Sequence, residues 1–217
     1  MARSAIIAAI VGLLLARTAK AQPMTGDSIA LAIRDSGVSR DAADWLIAKA
    51  WVETRLNPAK INTGDGPAAL KAAKRLKSEG RLPDCRPDAE YAFSGGAWQI
   101  IPAIFLVVGY PKDEAMLCSS PQIVLDPREA LAMVLAYAGK LQGWSSYREN
   151  PTWKTLWLGF QSPSFMSDDT SERAQKSIAN MRKGFDHVGR SDLETKRPPA
   201  FSSDGQFWRK KIMGGVL

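Results

Sequence analysis

The sequence predicts a mainly α-helical domain, and three observations carry this prediction. Several segments repeat apolar residues every three or four positions, the period of an amphipathic helix. Capping residues stand directly before these segments, most completely at Asp126-Pro127. The chain has 217 residues, of which 45% are hydrophobic and 24% charged. These values suit one globular domain and exclude a disordered, collagen-like or coiled-coil chain.

The first 21 residues are predicted to be a signal peptide. Arg3 precedes an apolar run over residues 5–16, and Ala19 and Ala21 form a small-x-small cleavage site. This run is shorter than the roughly 20 helical residues that cross a bilayer. We therefore predict a periplasmic or secreted protein that is cleaved near Ala21 and has no permanent membrane span. An uncleaved anchor or a buried virion helix is the alternative.

Residue counts and charge narrow the classes of function. One histidine and two cysteines are too few for a multi-histidine metal site, a four-cysteine zinc site or an iron–sulfur centre, and we expect no cofactor. Removal of residues 1–21 lowers the net charge from +7 to +4, and +3 of this excess lies in residues 190–217. Residues 22–189 therefore have almost equal numbers of positive and negative charges. This argues against nucleic acid as a partner and suits an anionic cell-wall polymer.

Two helices are predicted after the signal peptide. Residues 27–35 have helical spacing and stop at Gly37. Ser39 can cap a second helix, which continues until Asn57-Pro58 ends it. Glu53 lies on the apolar stripe of this second helix. A carboxyl group is costly to keep charged on an apolar face, and in its protonated form it can act as a general acid.

The middle of the chain is predicted to be an insertion followed by a turn. Residues 62–94 are rich in Gly, Asp, Pro and Lys, with one short helix over residues 67–76, and indicate an inserted loop or flap over a site. Residues 95–102 (GGAWQIIP) are too short for a helix and predict a turn or a short extended piece. A short helix over residues 103–108 follows.

Three more helices precede a C-terminal tail. Asp126 is the predicted cap of the first, and Glu129 is expected to complete a capping box with it. The second covers residues 151–159, and the third has a cap at Asp169 or Thr170. Proline, serine and glycine interrupt the pattern after residue 190. The predicted boundaries are therefore 1–21 for the signal peptide, 22–189 for the domain and 190–217 for a basic tail, with a docking segment near Phe207 and Trp208.

Cys85 and Cys118 are the two cysteines. An even number of cysteines in an exported chain favours a disulfide between them. Such a bridge would stabilise the fold by roughly 3–4 kcal/mol in the chain-entropy account. The alternative is two buried thiols.

Four short segments, in this order, carry a resemblance to a known family. Residues 50–58 (AWVETRLNP) resemble a Glu-Ser-x-Phe-Asn-Pro signature, and residues 96–102 (GAWQIIP) resemble a Gly-Leu-Met-Gln-Ile-x-Pro segment. Residues 125–127 (LDP) resemble an Asp-Pro helix start, and residues 158–162 (LGFQS) stand where Leu-x-x-Tyr-Asn is usual. These motifs belong to the soluble lytic transglycosylase (SLT-type, lysozyme-like) family. The resemblance implies a lysozyme-like helical domain with a substrate groove.

The resemblance also implies a reaction. Glu53 would protonate the glycosidic oxygen between N-acetylmuramic acid and N-acetylglucosamine, and would then take the proton from the muramyl 6-hydroxyl. That hydroxyl attacks its own anomeric carbon, which gives a 1,6-anhydro product. The implied substrate-binding residues are Thr54, Trp98, Gln99, Phe160 and Gln161.

Two departures from the family pattern concern the site. Phe160 stands in place of the usual tyrosine and removes a hydroxyl that would contact the catalytic carboxyl group or the sugar. The inserted segment lengthens the interval between Glu53 and Gln99, which can alter substrate access.

Two other functions remain open. A lysozyme-type muramidase would need a second carboxylate, for which Asp65, Asp84, Asp88 and Glu90 are candidates. A wall-binding or assembly protein would keep the fold without turnover. The implied partner is the glycan strand of peptidoglycan, and the settings we weigh are wall remodelling, an envelope-spanning secretion or conjugation machine, and a phage.

Overall fold

The computed structural model describes residues 26–82, 84–103 and 121–214. The predicted signal peptide, most of the helix predicted over residues 103–108, and Cys118 lie outside these ranges. The described chain is mainly α-helical, which confirms the predicted class at this level. None of the helices in these ranges has the length and apolar character needed to cross a membrane.

Eight α-helices and one pair of short strands form the described part. The strands β1 (Ile61–Asn62) and β2 (Ser94–Gly95) pair antiparallel, so the two ends of the predicted insertion meet. The helices are α1 (Gly26–Ser36), α2 (Arg40–Thr54), α3 (Gly66–Ser78), α4 (Pro127–Gln142), α5 (Ser145–Glu149), α6 (Trp153–Gln161), α7 (Glu172–His187) and α8 (Gly205–Ile212). Short 3₁₀ turns lie at Asp88–Tyr91, Pro121–Leu125, Pro163–Met166 and Ser191–Glu194.

Helix α2 begins where its sequence predicts and ends at Thr54, a few residues before the predicted stop at Asn57-Pro58. The Ser39 side chain accepts a hydrogen bond from the backbone N–H of Ala42 at 3.3 Å. At the other end Arg55 adopts a left-handed conformation, φ 56°, and its N–H donates to the carbonyl of Trp51 at 2.9 Å. These caps fix the last turn of α2, which carries Glu53.

One half of the capping box predicted at the start of α4 is confirmed. The Asp126 carboxylate accepts from the backbone N–H groups of Arg128 and Glu129. The N–H of Asp126, which a capping box would assign to the Glu129 side chain, donates instead to the carbonyl of Ile123 at 3.0 Å. The buried Glu129 carboxylate pairs with Arg209 of α8 at 3.0 Å.

The predicted cap of α7 was wrong by one or two residues. Ser171, not Asp169 or Thr170, is the N-cap, and its side chain accepts from the N–H of Ala174 at 3.2 Å. The Asp168 side chain accepts from the N–H of Thr170, so these preceding residues form their own turn.

The core lies between α2, α4, α6 and α7. Helix α2 packs against α7, and α6 packs against both α4 and α7. The fully buried indole of Trp45 on α2 lies 5.3 Å from the ring of Trp153 and 6.4 Å from the ring of Trp157, both on α6. This aromatic contact holds α6 against α2.

Residues 190–214 pack onto the helical domain. Arg190 forms ion pairs with Asp41 and Asp44 at the start of α2. Trp208 and Ile212 are buried where α8 packs against α4 and α1. The predicted docking segment lies on α8, where Trp208 is buried but Phe207 is exposed.

We predict that Gly139→Ala loosens this C-terminal segment. An alanine Cβ at position 139 of α4 would lie 2.6 Å from the carbonyl oxygens of Phe201 and Ser202. Backbone atoms cannot move aside cheaply, so we expect a loss of about 1–3 kcal/mol in the free energy of unfolding. Urea denaturation measures this loss, with Gly143→Ala as the control because its nearest contact is 3.3 Å. Equal stability of the two variants would contradict the packing described here.

Candidate functional site

An open groove with a volume of about 380 Å³ lies between several of these helices. Its walls come from the ends of α2 and α6, the start of α7, one face of α4, and the turn over residues 96–101. Among the described residues, its lining includes Glu53, Asp65, Gln99, Tyr137, Phe160 and Gln161.

Glu53 lies in the groove at the last turn of α2. Its side chain is 22% exposed, so it is partly sheltered but can be reached from the groove. Gln161 Nε2 donates to Glu53 Oε1 at 3.0 Å. Gln161 is the last residue of α6, and the packing of α6 on α2 therefore brings together two residues that are far apart in the sequence.

Lys49 is a site residue that the sequence analysis missed. Its Nζ lies 3.2 Å from Glu53 Oε1, and its side chain is only 3% exposed. The same Nζ lies 4.8 Å from the ring centroid of Trp157 and 5.2 Å from that of Phe160. The ammonium group is thus held by two aromatic faces and one carboxylate. Its position four residues before Glu53 on the same helix face was the signal that could have identified it.

Phe160 lines the groove and also packs against the aromatic core. Its ring lies 5.4 Å from that of Trp45 and 5.1 Å from that of Tyr137, edge-on in both cases. Phe160 is only partly buried and lines the groove beside Gln161. A partly exposed aromatic ring of this kind can stack on a sugar ring.

Gln99 lines the groove, but its amide stabilises the turn. The residue has φ 51°, and its Nε2 donates to the carbonyls of Lys60 at 3.2 Å and Gly96 at 3.0 Å. The Ser94 hydroxyl lies 3.2 Å from Gln99 Oε1 and 2.5 Å from Asp65 Oδ2. These bonds fix Gln99 in a left-handed conformation that non-glycine residues seldom adopt.

Trp98 and Thr54 join the turn to α2. Trp98 lines the groove but is 3% exposed, and its Nε1 donates to the carbonyl of Leu46 at 3.0 Å. The buried Thr54 hydroxyl lies 3.0 Å from the carbonyl oxygen of Ala50 and 3.2 Å from that of Ala97. Both side chains therefore set the distance between the turn and the helix that carries Glu53.

The candidate second carboxylates fall into two groups. Asp84 and Asp88 pair with Lys77, and Glu90 pairs with Arg86, so these three acids have partners within the insertion. Asp65 differs because it lines the groove together with Glu53.

The described cysteine and acidic residues do not form a metal site. In residues 26–82, 84–103 and 121–214, no group of three or more His, Cys, Asp or Glu side chains could hold a metal ion. Cys85 Sγ lies 3.7 Å from the Tyr91 hydroxyl. Its predicted partner, Cys118, lies outside the described residues, so the pairing stays a prediction.

The groove brings together Glu53, Gln99, Phe160 and Gln161 from three separate sequence segments, with Trp98 behind them. A carboxyl group, amides and aromatic rings of this kind can bind and protonate a carbohydrate. Comparison of the chain with models of protein families, with curated proteins and with solved structures finds no match. Function is therefore inferred from the residues of the groove.

Proposed function

We propose that the protein is a lytic transglycosylase that cleaves the glycan strands of peptidoglycan, on a lysozyme-like fold. The observation that carries this proposal is the position of Glu53 in an aromatic-lined groove, held through one oxygen atom. Gln161 and Lys49 both contact Oε1. The other oxygen, Oε2, is then the atom that would meet a substrate.

The proposed reaction uses one carboxyl group twice. Protonated Glu53 gives its proton to the glycosidic oxygen as the bond to the anomeric carbon breaks. The resulting carboxylate takes the proton of the muramyl 6-hydroxyl, whose oxygen bonds to the same anomeric carbon. No water is added, and Glu53 ends the cycle protonated.

The groove supports this proposal through its lining. Phe160 offers a partly exposed ring, and Gln161 both orients Glu53 and lines the groove. The proposed setting is the periplasm or the exterior of the cell, after removal of residues 1–21, with a bridge between Cys85 and Cys118.

Hydrolysis of the same bond is a second candidate, and Asp65 favours it. Asp65 shares the groove with Glu53, and a pair of carboxylates is what a muramidase would use. A third candidate is wall binding without turnover, in which Glu53 would serve only as the partner of the buried Lys49.

One product analysis separates the three candidates. The chain 22–217 is incubated with purified peptidoglycan, and the muropeptides are analysed by mass spectrometry beside Glu53→Gln and Asp65→Asn variants. We expect products one water lighter than reducing muropeptides, made by the wild type and by Asp65→Asn. We expect Glu53→Gln to be slower by a factor on the order of 10²–10⁴.

The other outcomes contradict the proposal in different ways. Full-mass reducing products that disappear in Asp65→Asn would identify a muramidase. Absence of products from the wild type, with retained binding to insoluble peptidoglycan, would identify a wall-binding protein.

A further inference from the structure

The proposed reaction begins with a protonated Glu53, but the structure places a buried amino group beside this side chain. Lys49 Nζ lies 3.2 Å from Glu53 Oε1, and the lysine side chain is 3% exposed. An ammonium group and a carboxylate at this distance form an ion pair. In the free protein the proton of the pair therefore lies on Lys49, whereas the reaction needs a proton on Glu53.

The ammonium group of Lys49 has fewer hydrogen-bond acceptors than it has N–H donors. Such a group carries three donors. Among the residues that the structure describes, Glu53 Oε1 is its only hydrogen-bond acceptor. The rings of Trp157 and Phe160, at 4.8 and 5.2 Å, attract the charge through their faces. The charge of Lys49 therefore depends strongly on the negative charge of one partner, Glu53.

The negative charge of Glu53 depends in turn on water in the groove. Its side chain is 22% exposed, and its Oε1 accepts from Lys49 and Gln161. Within the described part of the chain Oε2 has no hydrogen-bond partner. A glycan that fills the groove replaces water at Oε2 with a glycosidic oxygen, which accepts hydrogen bonds but donates none. Two charges are costly once water is excluded, and a neutral pair avoids this cost.

We infer that Lys49 supplies the proton with which Glu53 cleaves the glycan, and that filling of the groove drives the transfer. The proton passes from Nζ to Glu53 Oε1, which leaves a neutral amine and a neutral carboxyl group. Rotation of the carboxyl group about the Cγ–Cδ bond turns its O–H toward the glycosidic oxygen. The other oxygen then accepts from Gln161 and from the amine.

The cycle closes when the product leaves. The muramyl 6-hydroxyl has by then returned a proton to Glu53, and the water that re-enters the groove favours the ion pair again. The proton therefore goes back to Lys49. This inference rests on the proposed function, and Lys49 acts through Glu53 as a positioning residue.

Three other ionisable side chains line the same groove, each from a different part of the fold. They are Asp65 before α3, Tyr137 on α4 and Arg173 at the start of α7. In the described residues, the ion pair of Lys49 and Glu53 includes none of these three. The pH dependence that we expect therefore comes from the Lys49–Glu53 pair.

Rates at different pH values test the source of the proton. The chain 22–217 and two variants at position 49 are given soluble glycan strands from peptidoglycan, and kcat and KM are measured between about pH 5 and about pH 8. Lys49→Arg keeps the positive charge but cannot release a proton, because a guanidinium group is not deprotonated in proteins. Lys49→Met has neither the charge nor the proton.

Lys154→Met is the matched control. It removes an ammonium group of α6 that pairs with Asp169 at 2.7 Å and does not line the groove. Circular dichroism confirms that each variant is folded.

We expect Lys49→Arg to lower kcat by a factor on the order of 10²–10⁴, the range for a lost general acid, with little change in KM. Lys49→Met must take its proton from water, so its kcat should fall about tenfold per pH unit over a range in which the wild type changes little. Lys154→Met should follow the wild type. Wild-type kcat in Lys49→Arg, or parallel pH profiles of the wild type and Lys49→Met, would overturn the inference.

A second measurement locates the proton without turnover. Protein with isotopically labelled glutamate is studied by infrared difference spectroscopy near neutral pH, with and without a hexamer of N-acetylglucosamine as the probe. A protonated carboxyl group has a carbonyl stretching band that a carboxylate lacks. We expect the hexamer to produce this band in the wild type but in neither Lys49→Arg nor Glu53→Gln. A hexamer that does not bind the wild type, or binds without producing the band, contradicts the transfer.

Failure of this inference is distinguishable from failure of the proposed function. A protein that shows the band on binding but yields no cleaved peptidoglycan keeps the proton transfer and loses the transglycosylase activity. A protein that cleaves peptidoglycan, with the same kcat in Lys49→Arg and no band on binding, keeps the activity and loses the role of Lys49.

Discussion

Glu53→Gln is expected to unfold at lower urea concentration than the wild type, in addition to losing cleavage. Lys49 is 3% exposed, and Glu53 is its carboxylate partner at 3.2 Å. Glutamine leaves the buried ammonium group without a counter-charge. Breaking a buried ion pair in this way costs about 3–5 kcal/mol, and the partial exposure of Glu53 places the expected loss near the lower end.

A double substitution tests the cause of this loss. Lys49→Met removes the ammonium group and keeps an unbranched side chain against Trp157 and Phe160. We therefore expect Glu53→Gln/Lys49→Met to be more stable than Glu53→Gln alone, with a coupling energy of about 1–3 kcal/mol between the two positions. Additive effects of the two substitutions in urea denaturation would show that the ion pair is not the cause.

This prediction also improves the activity experiment. A Glu53→Gln sample that has partly unfolded would lose cleavage for a reason unrelated to proton transfer. The double variant is expected to be folded and still inactive, because it has no carboxyl group at position 53. Loss of cleavage in the folded double variant then assigns the chemistry to Glu53.

Gly96→Ala is expected to cost more than about 3 kcal/mol in the free energy of unfolding. Gly96 has φ 75°, and an added Cβ would lie 2.2 Å from the carbonyl oxygen of Val124. An alanine in the left-handed conformation already costs about 1–2 kcal/mol. The added Cβ would also clash with a backbone atom of Val124, and the backbone would have to move to relieve the clash. The turn that contains Trp98 and Gln99 would shift with it.

Gly80→Ala is the matched control for this prediction. Gly80 has φ 66°, but a Cβ there meets no atom within 4 Å. The Gly80→Ala substitution should therefore lower the free energy of unfolding only by the cost of a left-handed alanine, about 1–2 kcal/mol. We also expect Gly96→Ala to lose cleavage of peptidoglycan at temperatures where it remains folded, whereas Gly80→Ala keeps it. Equal destabilisation by the two alanines would contradict the close approach of Gly96 to Val124.

Local signals explain why much of the helical fold could be predicted. The Ser39 and Asp126 caps act within a few residues, so their sequence is sufficient to start α2 and α4. The place of Glu53 on an apolar stripe follows from the helical period alone. Its neighbour Lys49 was missed because a lysine four residues before a glutamate usually forms an exposed pair, and burial is decided by α6.

Long-range contacts explain what could not be predicted. The pairing of Arg190 with Asp41 joins residues whose positions differ by 149, and nothing near either residue indicates it. The pair between Glu129 and Arg209 likewise depends on how α8 meets α4, and it replaces the expected capping box. Tyr137 lies on α4, and its place in the groove depends on the contact between its ring and Phe160 of α6.

The packing of α2 against α7 bears on the order in which the site is completed during synthesis. The chain leaves the ribosome from its N-terminus, so Glu53 appears more than 100 residues before Gln161, its hydrogen-bond partner. A nascent chain that ends before residue 160 contains the carboxyl group but neither Gln161 nor α7, against which α2 packs. Because such distant contacts form late in folding, the groove is assembled only when most of the chain has been made, and shorter nascent chains carry Glu53 without a groove around it.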